Sequence, residues 1–171
     1  GRASDEIILG EETYCEKSAA PYKDTTYRTD IKPFKMSKYM VSYNTWYYVY
    51  QWAIKNGYKF INKGCEGMYT SGNNAGVYYK FNEGGVPKVE EMPATGMSWR
   101  DTIIWCNALS QMLGLQPVYC SDAAFTTPLK DSTQSTTQFA DKNWDKTPGK
   151  IDNPYVNPKA NGYRLPYTAE W

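Results

Sequence analysis

The sequence predicts an α+β domain that combines two main helices with short strands and extensive loops. Two segments, residues 42–57 and 98–114, carry apolar residues at helical spacing, and each begins with a serine that can cap it. One shorter segment, residues 34–41, starts in apolar–polar alternation, as a half-buried strand does. Glycine, proline and small polar residues dominate elsewhere. A chain of 171 residues is long enough to bury one hydrophobic core.

Composition excludes several classes of function. Nineteen basic and eighteen acidic residues leave a net charge of +1, too little to hold nucleic acid or an anionic membrane surface. No apolar run is long enough to predict a membrane span. Histidine is absent, which excludes Ser–His–Asp and Cys–His catalysis and His-ligated zinc within this sequence.

The first helix follows the strand-like segment. Residues 1–32 show no period and are expected to be an irregular N-terminal segment. Ser42 is the predicted N-cap and Asn56-Gly57 the predicted stop. The expected core face comprises Trp46, Val49, Tyr50 and Ala53.

Two aromatic residues of this helix, Tyr48 and Trp52, lie nearly opposite that face. Their own domain covers them, or they belong to a surface for a partner or ligand, and the sequence leaves both interpretations open. The glycine-rich stretch 61–87 lacks phosphate-loop spacing and a strand–glycine–helix order, so a structural loop is expected.

The second helix is predicted to begin at Ser98, with Asp101 completing a capping box, and to end at Gly114. Its expected core face comprises Trp105, Ala108, Leu109, Met112 and Leu113, flanked by Trp99 and Cys106. A polar stripe on the same helix is expected to be solvated and comprises Arg100, Asn107 and Gln111.

Residues 121–162 are rich in small polar residues and proline, which predicts a long surface insertion. Asp141, Asn143 and Asp145 resemble the opening of an EF-hand loop, but Lys146 stands where that loop needs glycine. A solvated acidic turn is therefore favoured over a calcium site.

Four cysteines, at positions 15, 65, 106 and 120, form no C-x-x-C pair, which argues against zinc-ribbon and thioredoxin-type sites. Cys106 is expected to be a small buried hydrophobic residue of the second helix. If a disulfide forms, we expect it to join Cys15 to Cys65 or Cys120, although the sequence does not choose among the pairings.

Four motifs, in register, resemble the formylglycine-generating-enzyme or sulfatase-modifying-factor family. The sequence N-G-Y-R-L-P at 161–166, followed by A-E-W at 169–171, is similar to the family's G-Y-R-L-P-T-E-A-E-W. K-Y-M-V-S at 38–42 resembles K-Y-E-V-T, and M-P-A-T-G-M-S-W-R-D at 92–101 resembles the family's entry to its second helix. C-N-A-L-S at 106–110 matches C-N-x-L-S. The similarity runs over residues 33–171.

The resemblance implies a C-type-lectin-like fold, of which this sequence would be the N-terminal portion. It gives the chain no catalytic residue and no metal ligand. The signature residues, with an expected structural role, are Ser98, Trp99, Asp101, Arg164, Leu165, Pro166, Glu170 and Trp171. Arg164 and Glu170 could form a buried ion pair, since buried charges need partners.

Two departures from the family pattern matter. Tyr167 replaces a threonine that would cap a third helix, at a cost of about 1 kcal/mol. The sequence stops at Trp171, where that helix would begin. The resemblance places calcium ligands, a copper-binding cysteine pair and much of the substrate groove in the part that follows. We therefore expect a nicked or truncated domain, with the remaining C-terminal part as a second polypeptide.

The resulting functional hypothesis is a non-catalytic ligand-binding or display scaffold, without a cofactor in this chain, for an unknown protein or carbohydrate ligand. Variable proteins of diversity-generating retroelements form one branch that resembles this family, which suggests an extracytoplasmic, bacterial cell-surface location. Tyrosine-rich composition suits such a surface. The alternative is a copper-dependent oxidase that converts a sulfatase cysteine to formylglycine, with its active site in the absent part.

Overall fold

A computed structural model describes residues 34–67, 82–89, 91–133, 146–167 and 170, together with the backbone alone of 6–9, 27–30, 68–70 and 78–80. The chain forms two compact units. One comprises residues 1–38 and 166–171, and the other comprises residues 39–165. The larger unit contains both helices and the hydrophobic core.

The two helices, α1 (Tyr43–Lys55) and α2 (Trp99–Met112), pack around one shared core. The rings of Trp46 and Trp105 stack with centroids 5.3 Å apart and planes 2° from parallel. The indole Nε1–H of Trp105 also donates to the carbonyl oxygen of Trp46, at 3.2 Å. This pair satisfies a buried indole and fixes where the helices cross.

The sequence prediction for α1 is confirmed. The Ser42 hydroxyl accepts from the backbone N–H of Thr45, and the helix ends where Gly57 adopts a φ of +84°. Its buried residues are Tyr43, Trp46, Val49, Tyr50 and Ala53. Tyr48 is 70% exposed, whereas Trp52 packs partly against the core.

The prediction for α2 is correct at its ends and partly wrong on its faces. Ser98 and Asp101 form the capping box, and Gly114 follows the helix with a φ of +70°. Leu113, an expected core residue, is 52% exposed, and Leu109 and Met112 are only half-buried. Other parts of the domain cover this helix on most sides, so the position of its apolar residues did not reveal which residues are buried. The buried apolar residues are Ile103, Ile104, Trp105, Cys106 and Ala108.

Four two-stranded antiparallel sheets accompany the helices among the described residues, which confirms the α+β class. They pair β1 (Glu6–Leu9) with β2 (Tyr27–Asp30), β3 (Cys65–Glu66) with β6 (Ala94–Thr95), β4 (Met68–Thr70) with β5 (Tyr78–Lys80), and β7 (Tyr119–Cys120) with β8 (Tyr155–Val156). The first pair shows that residues 1–32 are not irregular throughout.

The predicted half-buried strand at 34–41 is wrong, because these residues are exposed and form no strand. Its last residue meets the segment before α2, where the Val41 carbonyl accepts from the Ala94 N–H at 2.9 Å. An alternating pattern yields a stable strand only when partner strands pair with it.

Residues 121–162 are more than a surface insertion. Leu129 and Ile151 are 5% and 1% exposed and belong to the core, and β8 pairs with β7. The predicted acidic turn at Asp141, Asn143 and Asp145 lies outside the described residues. Where the structure describes it, the stretch 61–87 consists of loops and short strands.

The suggested disulfides of Cys15 with Cys65 or Cys120 stay a prediction; Cys65 and Cys120 are both buried. Cys15 itself lies outside the described residues. Burial raises the pKa of the Cys106 thiol to about 12, as expected for a cysteine that acts as a core residue. Neither helix found in the described residues has the length and apolarity to cross a bilayer.

Trp105→Ala should lower the free energy of unfolding by about 3–5 kcal/mol, because it removes the stacked, hydrogen-bonded core indole. Trp99→Ala, which truncates an indole that is 42% exposed, should cost about 1 kcal/mol or less. Urea unfolding measures both values. Equal losses in the two variants would contradict the assignment of Trp105 to the core.

Candidate functional site

Three polar residues of α2, namely Asp101, Asn107 and Ser110, are fully buried. Asn107 belongs to the polar stripe that is expected to be solvated, so this expectation is wrong for that residue. An unpaired buried polar group costs about 1–3 kcal/mol, so the partners of these side chains determine what the site does. We call these three residues the α2 polar core.

Asp101 joins the start of α2 to two other segments. Its carboxylate accepts from the Ser98 N–H at 2.9 Å and from the Ser98 hydroxyl at 2.7 Å. It also accepts from the Ile61 N–H at 3.1 Å, the Asn62 amide at 2.8 Å and the Ser132 hydroxyl at 2.6 Å. With the Asn62 N–H at 3.5 Å, six donors surround one carboxylate, so it acts as a structural acceptor.

Asn107 makes four hydrogen bonds to backbone groups. Its amide nitrogen donates to the carbonyls of Tyr119 and Leu129, at 2.7 and 3.0 Å. Its amide oxygen accepts from the N–H groups of Val118 and Tyr119, at 3.2 and 3.1 Å. The side chain thereby fixes β7 against α2 and uses its full hydrogen-bonding capacity on structure.

Residues 161–165, which we call the terminal strap, lie along the C-terminal half of α2. The Ser110 hydroxyl donates to the Cys106 carbonyl at 2.7 Å and accepts from the Tyr163 N–H at 2.8 Å. A Cβ on Gly162 would lie only 2.5 Å from that hydroxyl oxygen, so glycine permits this close approach. Ser110 therefore links the C-N-A-L-S motif to the strap.

Two more hydrogen bonds secure the strap. The Gln116 N–H donates to the Asn161 side-chain oxygen at 2.9 Å, and the Leu165 N–H donates to the Tyr119 hydroxyl at 2.9 Å. Leu165 also packs against the core. Two of the signature motifs found in the sequence are thus brought into direct contact by backbone and side-chain hydrogen bonds.

Other signature residues do not join this cluster. Trp99 is exposed, and so is Pro166. Arg164 and Glu170 are each partly exposed, and an ion pair between them stays a prediction. The Arg164 Nη1 donates to the Leu165 carbonyl at 3.0 Å. Trp171 lies outside the described residues.

The departure at Tyr167 leaves half of a capping box in place. The Glu170 carboxylate accepts from the Tyr167 N–H at 2.8 Å, and the Glu170 N–H donates to the Tyr167 carbonyl at 2.9 Å. The Tyr167 N–H therefore has the side-chain partner that a capping box gives its first residue, whereas the tyrosine supplies no short side-chain acceptor in return.

The remaining members of the polar stripe are also engaged. Arg100 forms a salt bridge with Asp152, whose side chain is fully buried while that of Arg100 is 12% exposed. The Gln111 side-chain oxygen accepts from the Tyr58 hydroxyl at 2.7 Å. Burial raises the pKa of Tyr58, so this hydroxyl stays a donor at neutral pH.

Glu66 is a second buried carboxylate, which the sequence analysis missed, and it is 1% exposed. It accepts from the Lys88 N–H at 2.6 Å, from the Asn82 amide at 2.7 Å and from the Val89 N–H. Burial opposes its charge, but these hydrogen bonds and the charge of Lys88 outweigh burial and lower the pKa of Glu66.

The described cysteines do not fit a thiolate pair for a soft copper ion. Cu(I) prefers deprotonated sulfur ligands, and burial raises the pKa values of Cys106 and Cys120. Cys65 lies in β3, Cys106 in α2 and Cys120 in β7, each within the packed interior. Among the described residues, no three His, Cys, Asp or Glu side chains form a group that could hold a metal ion.

Comparisons with known proteins identify relatives over nearly the whole chain. The family model of the sulfatase-modifying factor enzyme 1-like domain matches residues 6–171. The chain is 27% identical over 168 residues to the chaperone protein LppX of Paenibacillus barcinonensis, covering 98% of this chain and 44% of that protein. It is also similar to the crystal structure of CarF, with a TM-score of 0.53, 26% identity, and coverage of 98% of this chain and 54% of CarF. The chain thus spans about half the length of these two relatives.

Asp101→Asn should lower the free energy of unfolding by at least about 2 kcal/mol, because the new amide points a donor at groups that already donate. Glu91→Gln makes the same charge change at an exposed position and should stay within about 0.5 kcal/mol of the parent protein. Denaturant unfolding of the two variants checks this. A near-neutral Asp101→Asn would show that these hydrogen bonds do not stabilise the fold.

The lowered pKa of Glu66 predicts a stability contribution that is present above the unfolded-state pKa of about 4.5 and is lost as the pH falls through the folded-state pKa. Glu66→Gln should therefore be destabilised by about 1–3 kcal/mol at pH 7. The difference in unfolding free energy from the parent protein should narrow as the pH falls below about 4.5, as measured by urea unfolding at a series of pH values. A difference that is constant with pH would contradict the assigned ionisation.

Proposed function

The chain belongs to the family of the sulfatase-modifying factor enzyme 1-like domain, and from this membership we propose that it serves as a non-catalytic binding scaffold. In this proposal it forms the front part of a C-type-lectin-like domain and displays a surface for a protein or carbohydrate ligand. The ligand site is completed by the remaining C-terminal part of the domain.

The observation that carries the proposal is that the α2 polar core makes its hydrogen bonds to other parts of the protein. Asp101, Asn107 and Ser110 direct their hydrogen bonds to the backbone or to capping groups of neighbouring segments. Side chains used in this way organise loops, whereas catalysis requires groups that reach a substrate. Loops held on a rigid framework are the usual place for binding residues.

Two further points support a binding role. The relative from Paenibacillus barcinonensis carries the name of a chaperone protein, and a chaperone acts by binding another protein. Tyr48 is exposed on α1 beside the half-buried Trp52, and exposed aromatic rings form rigid contact surface at low entropic cost. An extracytoplasmic location, at a bacterial cell surface and in a variable protein, is the setting we propose for such a scaffold.

The second candidate is the copper-dependent oxidase that forms formylglycine from a sulfatase cysteine, and family membership favours it. The described cysteines lack the reactivity that this chemistry needs, since burial raises the pKa values of Cys106 and Cys120. In this alternative, the copper-binding cysteines and any calcium ligands would belong to the C-terminal part.

Incubation of the complete gene product with Cu(I), oxygen and a cysteine-containing sulfatase peptide distinguishes the two candidates. The scaffold proposal expects the peptide cysteine to remain unmodified in mass spectra, with no stoichiometric Cu(I) uptake in a competition titration. Cys106→Ala serves as the control and should change neither result, because that thiol is buried in the core. Conversion of the cysteine to an aldehyde would replace the scaffold proposal by the oxidase.

A further inference from the structure

We propose that Asn56, at the end of α1, is a site of spontaneous deamidation that converts an uncharged helix cap into a carboxylate. The sequence Asn-Gly-Tyr occurs twice in the chain, at residues 56–58 and at residues 161–163. Deamidation is fastest where glycine follows asparagine, because glycine has no side chain to hinder its nitrogen during attack on the asparagine side chain. Since the two tripeptides are identical, it is the structure that distinguishes them.

The reaction needs water and no other partner. The Gly57 backbone nitrogen attacks the Cγ carbon of Asn56, so that a bond forms between these two atoms and the Cγ–Nδ2 bond breaks. Ammonia leaves and carries the proton that the Gly57 nitrogen gives up. Water then opens the succinimide ring at one of its two carbonyls, which leaves aspartate or isoaspartate at position 56.

The backbone around Gly57 has room for this attack. Asn56 and Gly57 are both exposed, and a Cβ built on Gly57 would meet no atom within 4 Å. The Gly57 N–H, which is the attacking group, donates no hydrogen bond to any residue that the structure describes. The attack is therefore opposed neither by crowding nor by a bond to the nucleophile.

Asn56 must rotate before its Cγ meets the Gly57 nitrogen, since its ψ angle is 22°. Two exposed hydrogen bonds resist this rotation, from Asn56 Nδ2 to the Trp52 carbonyl at 2.8 Å and from Lys130 Nζ to the Asn56 carbonyl at 3.3 Å. Helix ends fray, so such bonds open without unfolding of the domain. Glycine adopts positive and negative φ equally readily, so Gly57 can absorb the rotation while the buried Tyr58 stays in place.

The second Asn-Gly-Tyr sequence lies in the terminal strap and is held on both sides. The Asn161 side-chain oxygen accepts from the Gln116 N–H at 2.9 Å, and the Tyr163 N–H donates to the Ser110 hydroxyl at 2.8 Å. A Cβ on Gly162 would lie 2.3 Å from the Gln116 carbonyl oxygen, so the backbone has no room to turn. Asn161 is exposed as well, so attachment to α2, and not access of water, separates the two sites.

Deamidation at position 56 removes a helix cap. The Trp52 carbonyl is one of the last in α1 and accepts from the Asn56 side chain. A carboxylate cannot donate this hydrogen bond, and a negative charge is unfavourable at the C-terminus of a helix. The last turn of α1 should therefore open more often once the amide is lost.

Site-resolved peptide mapping of the complete gene product, aged at mildly alkaline pH, tests the proposal. In the native protein, Asn56 should form aspartate and isoaspartate at least about tenfold faster than Asn161, because the strap opens more rarely than the helix end. In guanidinium, where both tripeptides lose their contacts, the two rates should agree within about threefold. Equal rates in the native protein, or a faster rate at Asn161, would overturn the proposal.

Asn56→Gln is the control for the chemistry. Its longer side chain forms the corresponding six-membered ring slowly, so the product at position 56 should disappear while Asn161 keeps its rate. Product at position 56 that persists in this variant would show that another reaction forms it and would also overturn the proposal.

Amide hydrogen exchange tests the loss of the cap. Asn56→Asp reproduces the aspartate product, and it should raise the exchange rate of the Tyr58 amide, which donates to the Ala53 carbonyl at 3.0 Å, by at least about threefold. Asn161→Asp adds the same charge elsewhere, keeps an acceptor for the Gln116 N–H, and should leave that rate unchanged. Equal exchange of the Tyr58 amide in the two variants would contradict the proposed effect on α1.

Discussion

The hydrogen bonding of the α2 polar core is the constraint on which the rest of this structure depends. A helix placed in the middle of a domain is covered on most sides, so its polar side chains must find partners inside the protein. Asp101, Asn107 and Ser110 find them in loop backbone and capping groups. The long loops of this fold, which lack extended sheets of their own, are thereby fixed against one element.

This arrangement explains how the described residues, with two helices and short strands, form a defined core. The four described sheets have only two strands each, and a two-stranded pair is marginal alone. Stacked Trp46 and Trp105 supply the apolar centre, while the buried side chains of α2 satisfy the backbone groups that sheets would otherwise satisfy. Glu66 has the same role for the loop that includes Asn82, Lys88 and Val89. A fold organised in this way leaves loop surfaces available for recognition.

Local signals in the sequence were enough to predict the helices, their caps and the α+β class. Ser42, Ser98, Asp101 and Gly114 each act through neighbours within a few residues, so their roles can be derived without the fold. The motif resemblance also identified the family correctly. The buried and exposed faces of α2 were harder to predict. Burial of Asn107 depends on its hydrogen bonds to Tyr119 and Leu129, which lie near it only in the folded chain.

The same distinction applies to the candidate site. The sequence singled out Ser98, Asp101 and Leu165, which the structure uses, but it also gave weight to Trp99, which is exposed. It missed Glu66 and the salt bridge of Arg100 with Asp152, since partners separated by 52 positions carry no local pattern. The strand expected at 34–41 failed because alternation describes a strand's faces and says nothing about its partner.

Amide hydrogen exchange tests most directly whether the α2 polar core holds the loops. Three backbone amides in the loops and the terminal strap donate to the α2 polar core. The Ile61 amide donates to Asp101 at 3.1 Å, the Val118 amide to Asn107 at 3.2 Å and the Tyr163 amide to Ser110 at 2.8 Å. The account predicts that these amides exchange as slowly as those in the centres of the two helices, because they open only when the domain unfolds. Exchange at the rate of exposed loop amides would contradict it.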